Sequence, residues 1–156
     1  MEIYTIGGFD EVGKNMTVVK TGEDVFIFDM GVFLPAIVEL QEQEEKGKPQ
    51  VYSEKKLRGI GAFPDDLLLD KFGLRNKVRA IFLGHAHLDH IGAAPYIAYR
   101  YNAPLVGTPF TISVLKKILD DEGIKIPNQL KTVNPNSSFF VRGKSGNYQV
   151  DFINIT

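Results

Sequence analysis

The stretch Gly84-His85-Ala86-His87-Leu88-Asp89-His90-Ile91-Gly92 follows directly on the apolar run Val78-Arg79-Ala80-Ile81-Phe82-Leu83. β-Branched and aromatic residues dominate that run and a glycine ends it, so it reads as a strand feeding a loop. The chain has three histidines, all between positions 85 and 90. An expression tag is terminal and uninterrupted, whereas this cluster is internal and framed by apolar residues.

The spacing says what the cluster can do. On a helix, residues two apart point about 200° away from each other. His85 and His87 can therefore share one ion only where the backbone is extended or turning. Asp89 and His90 follow at once, and a turn at Leu88 can aim them at a second point nearby. The expected product is two adjacent half-sites, His85 with His87 and Asp89 with His90. Nitrogen and oxygen donors without thiolate suit Zn²⁺ first, with Mn²⁺ or Fe²⁺ as alternatives.

Composition bounds the class. A chain of 156 residues with 44% hydrophobic content is long enough for one domain with a core, and too short for two. The formal net charge of -1 gives no global positive field of the kind that marks a general nucleic-acid binder. Cysteine is absent, which excludes a disulfide framework and thiolate ligation and is compatible with a cytoplasmic setting. No apolar run approaches the ~20 residues of a membrane span, and no signal peptide precedes the first strand, so a soluble protein is expected.

Strands are expected at Glu2–Ile6, Met16–Lys20, Val25–Phe28, Val78–Leu83, Pro104–Val106, Leu130–Val133, Ser138–Arg142 and Tyr148–Ile155. Gly7-Gly8 allows a tight turn or close backbone approach, and Asp10, Glu11, Lys14 and Asn15 read as a polar hairpin loop. Thr21 to Asp24 reads as a turn. Asp29 ends the nearly continuous apolar run Val25–Phe28; a carboxylate there is costly unless something positive or N–H bearing meets it, a helix or turn cap being the plain alternative. From Ala36 to Lys71 acidic residues (Glu39, Glu42, Glu44, Glu45) alternate with basic ones (Lys46, Lys48, Lys55, Lys56, Arg58), which predicts a solvated loop or short helix. Phe63 to Leu69 looks like a turn starting a helix, with Asp65 or Asp66 at its N-terminus. Helices are predicted over Ala93–Tyr101 and from Thr108-Pro109 to Asp121, the latter with threonine as cap and Ile112, Val114, Leu115, Ile118 and Leu119 facing a core. Gly143-Lys144-Ser145-Gly146 is too short for a phosphate-binding loop and reads as a hairpin turn.

The loop GHAHLDHIGAAP (84–95) has the H-x-H-x-D-H pattern and resembles the signature of the metallo-β-lactamase superfamily. Gly7-Gly8-Phe9-Asp10-Glu11-Val12-Gly13-Lys14-Asn15-Met16, Phe28-Asp29-Met30-Gly31 and Gly107-Thr108-Pro109-Phe110-Thr111 are similar to the ribonuclease J family within it, in its archaeal form. The resemblance implies an α/β (α+β) fold, the amino-terminal half of an αββα sandwich with a mixed sheet and helices on one face. It implies a two-ion site with His85, His87, Asp89 and His90 as ligands, Asp89 and Asp29 in the catalytic machinery, and Asp29 steadying the loop from behind. It also implies RNA as substrate, 5′-to-3′ exonucleolytic hydrolysis, a homodimer in the complete protein and partners in RNA-degradation machinery. The ion pair would lower the pKa of water toward ~7 for in-line attack on the phosphodiester.

The superfamily completes its site with later ligands, including further histidines, and the ribonuclease branch carries an inserted β-CASP domain. Neither is present in 1–156, so the stretch reads as part of a longer enzyme, weak in metal binding and inactive alone. Two other functions remain: a small-molecule hydrolase of the same superfamily, acting on thioesters or lactones, and a non-catalytic interaction module.

Overall fold

The computed structural model describes residues 1–44 and 51–155. Glu45, Lys46 and Lys48 of the alternating charge blocks lie outside the described residues. The main sheet has six strands in sequential order. β1 (Glu2–Gly7), β2 (Met16–Thr21) and β3 (Asp24–Phe28) run antiparallel, and β4 (Val78–Leu83), β5 (Leu105–Gly107) and β6 (Leu130–Thr132) extend the sheet in parallel from β3. Parallel neighbours need crossovers, and all of these lie on one face. They are α1 (Leu34–Gln43), α2 (Glu54–Gly59) and α3 (Leu68–Lys71) before β4, α4 (Leu88–Ile91) and α5 (Ala94–Ile97) before β5, and α6 (Pro109–Glu122) before β6.

Apart from Asp24 and Arg79, β3 and β4 are apolar, because both faces of the sheet are covered. Val25, Ile27, Ile81 and Leu83 pack with Ile91, Ile97, Leu115 and Leu119 under the helices. Phe26, Ala80 and Phe82 face the other way, into a second core with Val106, Val133 and Val141. A hairpin of β7 (Ser137–Arg142) and β8 (Asn147–Phe152) covers that face. Its inward residues seat as aromatic pairs, with Tyr148 edge-on to Phe26 at 4.9 Å and Phe139 and Phe152 each 6.1 Å from Phe82. The result is a mixed sheet with helices on one face and a two-stranded second sheet on the other, the expected half-sandwich.

Asp24 fastens the hairpin to the sheet. The sequence places it in a turn, yet it opens β3 and is fully buried. Its carboxylate accepts from Arg79 Nε at 2.6 Å, from the backbone N–H groups of Lys144 (2.7 Å) and Ser145 (2.8 Å), and from the Tyr148 hydroxyl at 2.8 Å. The Gly143–Gly146 segment is thus a hairpin turn, as predicted, and its backbone cradles a carboxylate of the protein itself.

α6 forms as its sequence dictates: Thr108 Oγ1 accepts from Thr111 N at 3.2 Å, Pro109 needs no donor in the first turn, and Gly123 closes the end in the left-handed region. The helix expected over Ala93–Tyr101 is instead α5 followed by a 3-10 turn at Ala98–Arg100. Pro95 has no N–H to continue the ladder from α4, and Ile97 at φ -121° leaves the helical region. The stretch read as a solvated loop or short helix holds α1, α2 and α3, which bury Leu40, Leu57 and Leu69. Asp66 stands just before α3, as the sequence suggests, and its carbonyl accepts from Leu69 N at 3.0 Å. It is fully buried, bonded to Arg58 Nη1 at 2.6 Å and within 3.2 Å of Arg100 Nε and 3.3 Å of the Tyr101 hydroxyl. Burial, followed by the Asp66 charge, pushes the Tyr101 hydroxyl far above its ordinary pKa. Among the described residues no helix is long and apolar enough to cross a membrane.

Candidate metal centre

β3 and β4 end side by side, and the histidine loop leaves from that edge. Asp29 N–H donates to Phe82 O at 2.8 Å, so the residue after β3 is still held by β4. There the backbone turns: Asp29 has φ +66°, a left-handed conformation that aspartate tolerates better than most side chains. The turn aims its carboxylate at the loop. Oδ1 accepts from Gly84 N at 2.8 Å and Oδ2 stands 2.8 Å from His90 Nδ1. One carboxylate therefore closes the loop at both ends. Burial pushes the Asp29 pKa up, against the pull of His90 and the Gly84 N–H.

Between those ends the chain runs extended through His87, at φ -80° and ψ 152°, and then turns into α4. His87 O accepts from His90 N (2.9 Å) and Ile91 N (3.0 Å), while its ring makes no capping bond. The extended backbone that two-residue spacing requires is present. The His85 and His87 ring centroids lie 3.9 Å apart, and His85 and His90 5.3 Å apart. His90 Nε2 is 3.6 Å from Asp89 Oδ2. With Asp29 ionised, His90 carries its proton on Nδ1 and presents the Nε2 lone pair on the Asp89 side. His85 and His87 are solvent-exposed, and Asp89 and His90 half-buried. Among the described residues no three histidine or carboxylate side chains form a ready-made ion cage; the donors stand in pairs.

Asn15, read from the sequence as loop, and Gly31, to which the residues alone give no role, complete the scaffold. Met30 N donates to His90 O (2.8 Å) and Val32 N to Leu88 O (3.0 Å), so the segment after Asp29 is stitched along the histidine turn. Between them Gly31 lies so close to Asp89 that a Cβ there would be 1.5 Å from its carbonyl oxygen. Asn15 fills the remaining angle: its N–H donates to Asp89 O at 3.0 Å, its O accepts from Gly31 N at 3.0 Å, and its side-chain amide donates to Asp89 O at 2.9 Å. The segment 8–15, read as a polar hairpin loop, thus abuts the histidine turn. A glycine after Phe28-Asp29-Met30 and an asparagine before β2 are the only sequence signs of either role.

Comparisons with known proteins agree with this architecture. Residues 9–126 match the profile described as the metallo-beta-lactamase superfamily. The whole chain is similar to ribonuclease J of Methanocaldococcus jannaschii, 38% identical over 157 residues, and to that of Pyrococcus abyssi, 41% identical over 159 residues. In each case it spans 33% of the relative's length, so the chain covers about a third of these curated relatives. A crystal structure of a protein of unknown function from Enterococcus faecalis V583 matches with a TM-score of 0.55 at 14% identity, covering 96% of this chain and 42% of that one, a likeness of fold alone. With a profile matched from the first loop to beyond the end of α6, over more than half of its length, the chain belongs to the metallo-beta-lactamase superfamily.

Proposed function

We propose that the protein carrying this chain is a metal-dependent ribonuclease that hydrolyses RNA phosphodiester bonds by trimming from the 5′ end. The observation that carries the reading is the gathering of His85, His87, Asp89 and His90 within one turn, with His90 held by Asp29. Three imidazoles and a carboxylate, without thiolate, fit Zn²⁺ and Mn²⁺. His85 with His87 would hold one ion and Asp89 with His90 the second. Divalent cations at such a site supply activated water and offset charge on the phosphate.

The chain's own residues set the geometry. Asp29 fixes the His90 tautomer and ring plane, and the exposed His85 and His87 leave the donors open to a polymer substrate. Ribonuclease J relatives support RNA over a small thioester or lactone as substrate. Dimerisation and contacts with RNA-degradation machinery belong to the complete protein on the same reading. With donors only in pairs, residues 1–156 alone bind metal weakly and are inactive.

The test is decay, followed from a label at the 5′ end and one at the 3′ end, of RNA by the complete gene product with added Zn²⁺ or Mn²⁺. His87→Ala is expected to slow decay about 100-fold or more, since loss of a ligand should cost at least as much as the roughly 10–100-fold lost with a partner that only orients one. Unchanged decay in the variant removes this loop from the chemistry.

A further inference from the structure

Among the described residues Asp89 has hydrogen-bond partners from the segment before β2. Its carbonyl oxygen accepts two hydrogen bonds from Asn15, one from the backbone N–H at 3.0 Å and one from the side-chain amide at 2.9 Å. The same amide nitrogen lies 3.4 Å from Asp89 Oδ2, the oxygen that faces His90 Nε2 at 3.6 Å. Both groups facing the amide are acceptors, so the nitrogen, not the oxygen, must point at Asp89. The other end of the amide is held by shape. Gly8, at φ +84°, lies where a Cβ would come within 2.3 Å of Asn15 Oδ1, so the glycine makes room for this rotamer.

The two bonds to the carbonyl have separable roles. The backbone N–H keeps the segment 8–15 against the histidine turn whatever side chain stands at position 15. The side chain adds the contact with the carboxylate. We propose that Asn15 is a positioning residue for the metal centre, its amide bridging the carbonyl and carboxylate of Asp89 and orienting that carboxylate toward the ion it shares with His90. The inference rests on the metal-centre reading above. A carboxylate on a single-turn helix, half-exposed, has several rotamers open to it, and a donor on its flank selects one.

Calorimetric titration of the metal-free complete gene product with Zn²⁺ alone, and with Mn²⁺ alone, tests it without recourse to turnover. Asn15→Ala is expected to weaken binding of one ion about 10-fold or more while leaving the metal-free melting temperature within a few degrees of the parent. Asn15→Ser, too short to reach Asp89, gives the same result if the alanine variant folds poorly. In an Asp89→Ala background, Asn15→Ala should weaken binding no further, because the carboxylate it orients is gone even though the backbone carbonyl it also meets remains. Equal weakening in both backgrounds, or no weakening in either, overturns the proposal. His87→Ala and Asp89→Ala separate the two levels of inference. If both leave ion binding intact, the metal centre itself is wrong; if both weaken it while Asn15→Ala does not, only the role of Asn15 falls.

Discussion

Gly31→Ala should cost about 3 kcal/mol or more of folding stability and disable the site with it. The added Cβ would lie 1.5 Å from Asp89 O, 2.2 Å from Asp89 C and 2.8 Å from Asn15 N, and all three are backbone atoms that cannot swing aside. Relief requires the segment after Asp29 to move off the histidine turn. That sacrifices Met30 N to His90 O, Val32 N to Leu88 O and Gly31 N to Asn15 O, each worth about 1 kcal/mol, and adds the strain of overpacking. Gly59→Ala is the control, since nothing lies within 4 Å of a Cβ there and the position ends α2. It should be neutral or slightly stabilising. Chemical denaturation of the two variants checks both; a Gly31→Ala protein as stable as the parent would mean that the strand-like stitching of 29–32 to 88–90 is absent in solution.

Asp24→Ala should destabilise at neutral pH by about 3 kcal/mol, within the usual cost of leaving a buried ion pair broken. Burial pushes the Asp24 carboxyl up, but Arg79, the Lys144 and Ser145 N–H groups and the Tyr148 hydroxyl together hold it well below the ordinary carboxylate range. A carboxyl whose pKa falls on folding stabilises the folded state above its unfolded pKa, roughly 3.9, and the contribution fades as pH drops below that value. The parent should therefore lose stability steeply below about pH 4, and the variant, already without this contribution, less so. Denaturation midpoints across pH 2–7 decide it; parallel pH profiles would show that Asp24 is not the group responsible. Because the carboxylate joins β3 to the β7–β8 turn, the hairpin should be the first element to come away, uncovering Phe26 and Phe82.

Most of the fold was legible because its signals are local. Most strands are apolar, β-branched or alternating runs with a glycine, asparagine or proline near at least one end, and α6 carries its own cap, first-turn proline and terminal glycine. The histidine loop was legible for a related reason: spacing along six residues constrains geometry without help from elsewhere. What could not be read depends on atoms far apart in sequence. Asn15 meets Asp89 across 74 positions, Asp24 meets Ser145 across 121, and Asp66 meets Tyr101 across 35. No period in a sequence reports such a meeting, so these residues passed for loop, turn and helix end. The helices between Leu34 and Lys71 were obscured differently. α2 and α3 are short and bury a single leucine amid charges, leaving too little apolar stripe to register, whereas α1 does carry Leu34, Ile37, Val38 and Leu40 at helical spacing, which the loop reading passed over.

Whether His85, His87, Asp89 and His90 hold divalent ions decides everything else proposed for this chain. Anomalous diffraction at the zinc edge, from crystals of the complete gene product grown with Zn²⁺, tests it most directly. The expected result is density within about 2.0–2.2 Å of these donors, with His90 Nδ1 still on Asp29. Zinc bound elsewhere, with the four side chains turned toward separate surroundings, would contradict it.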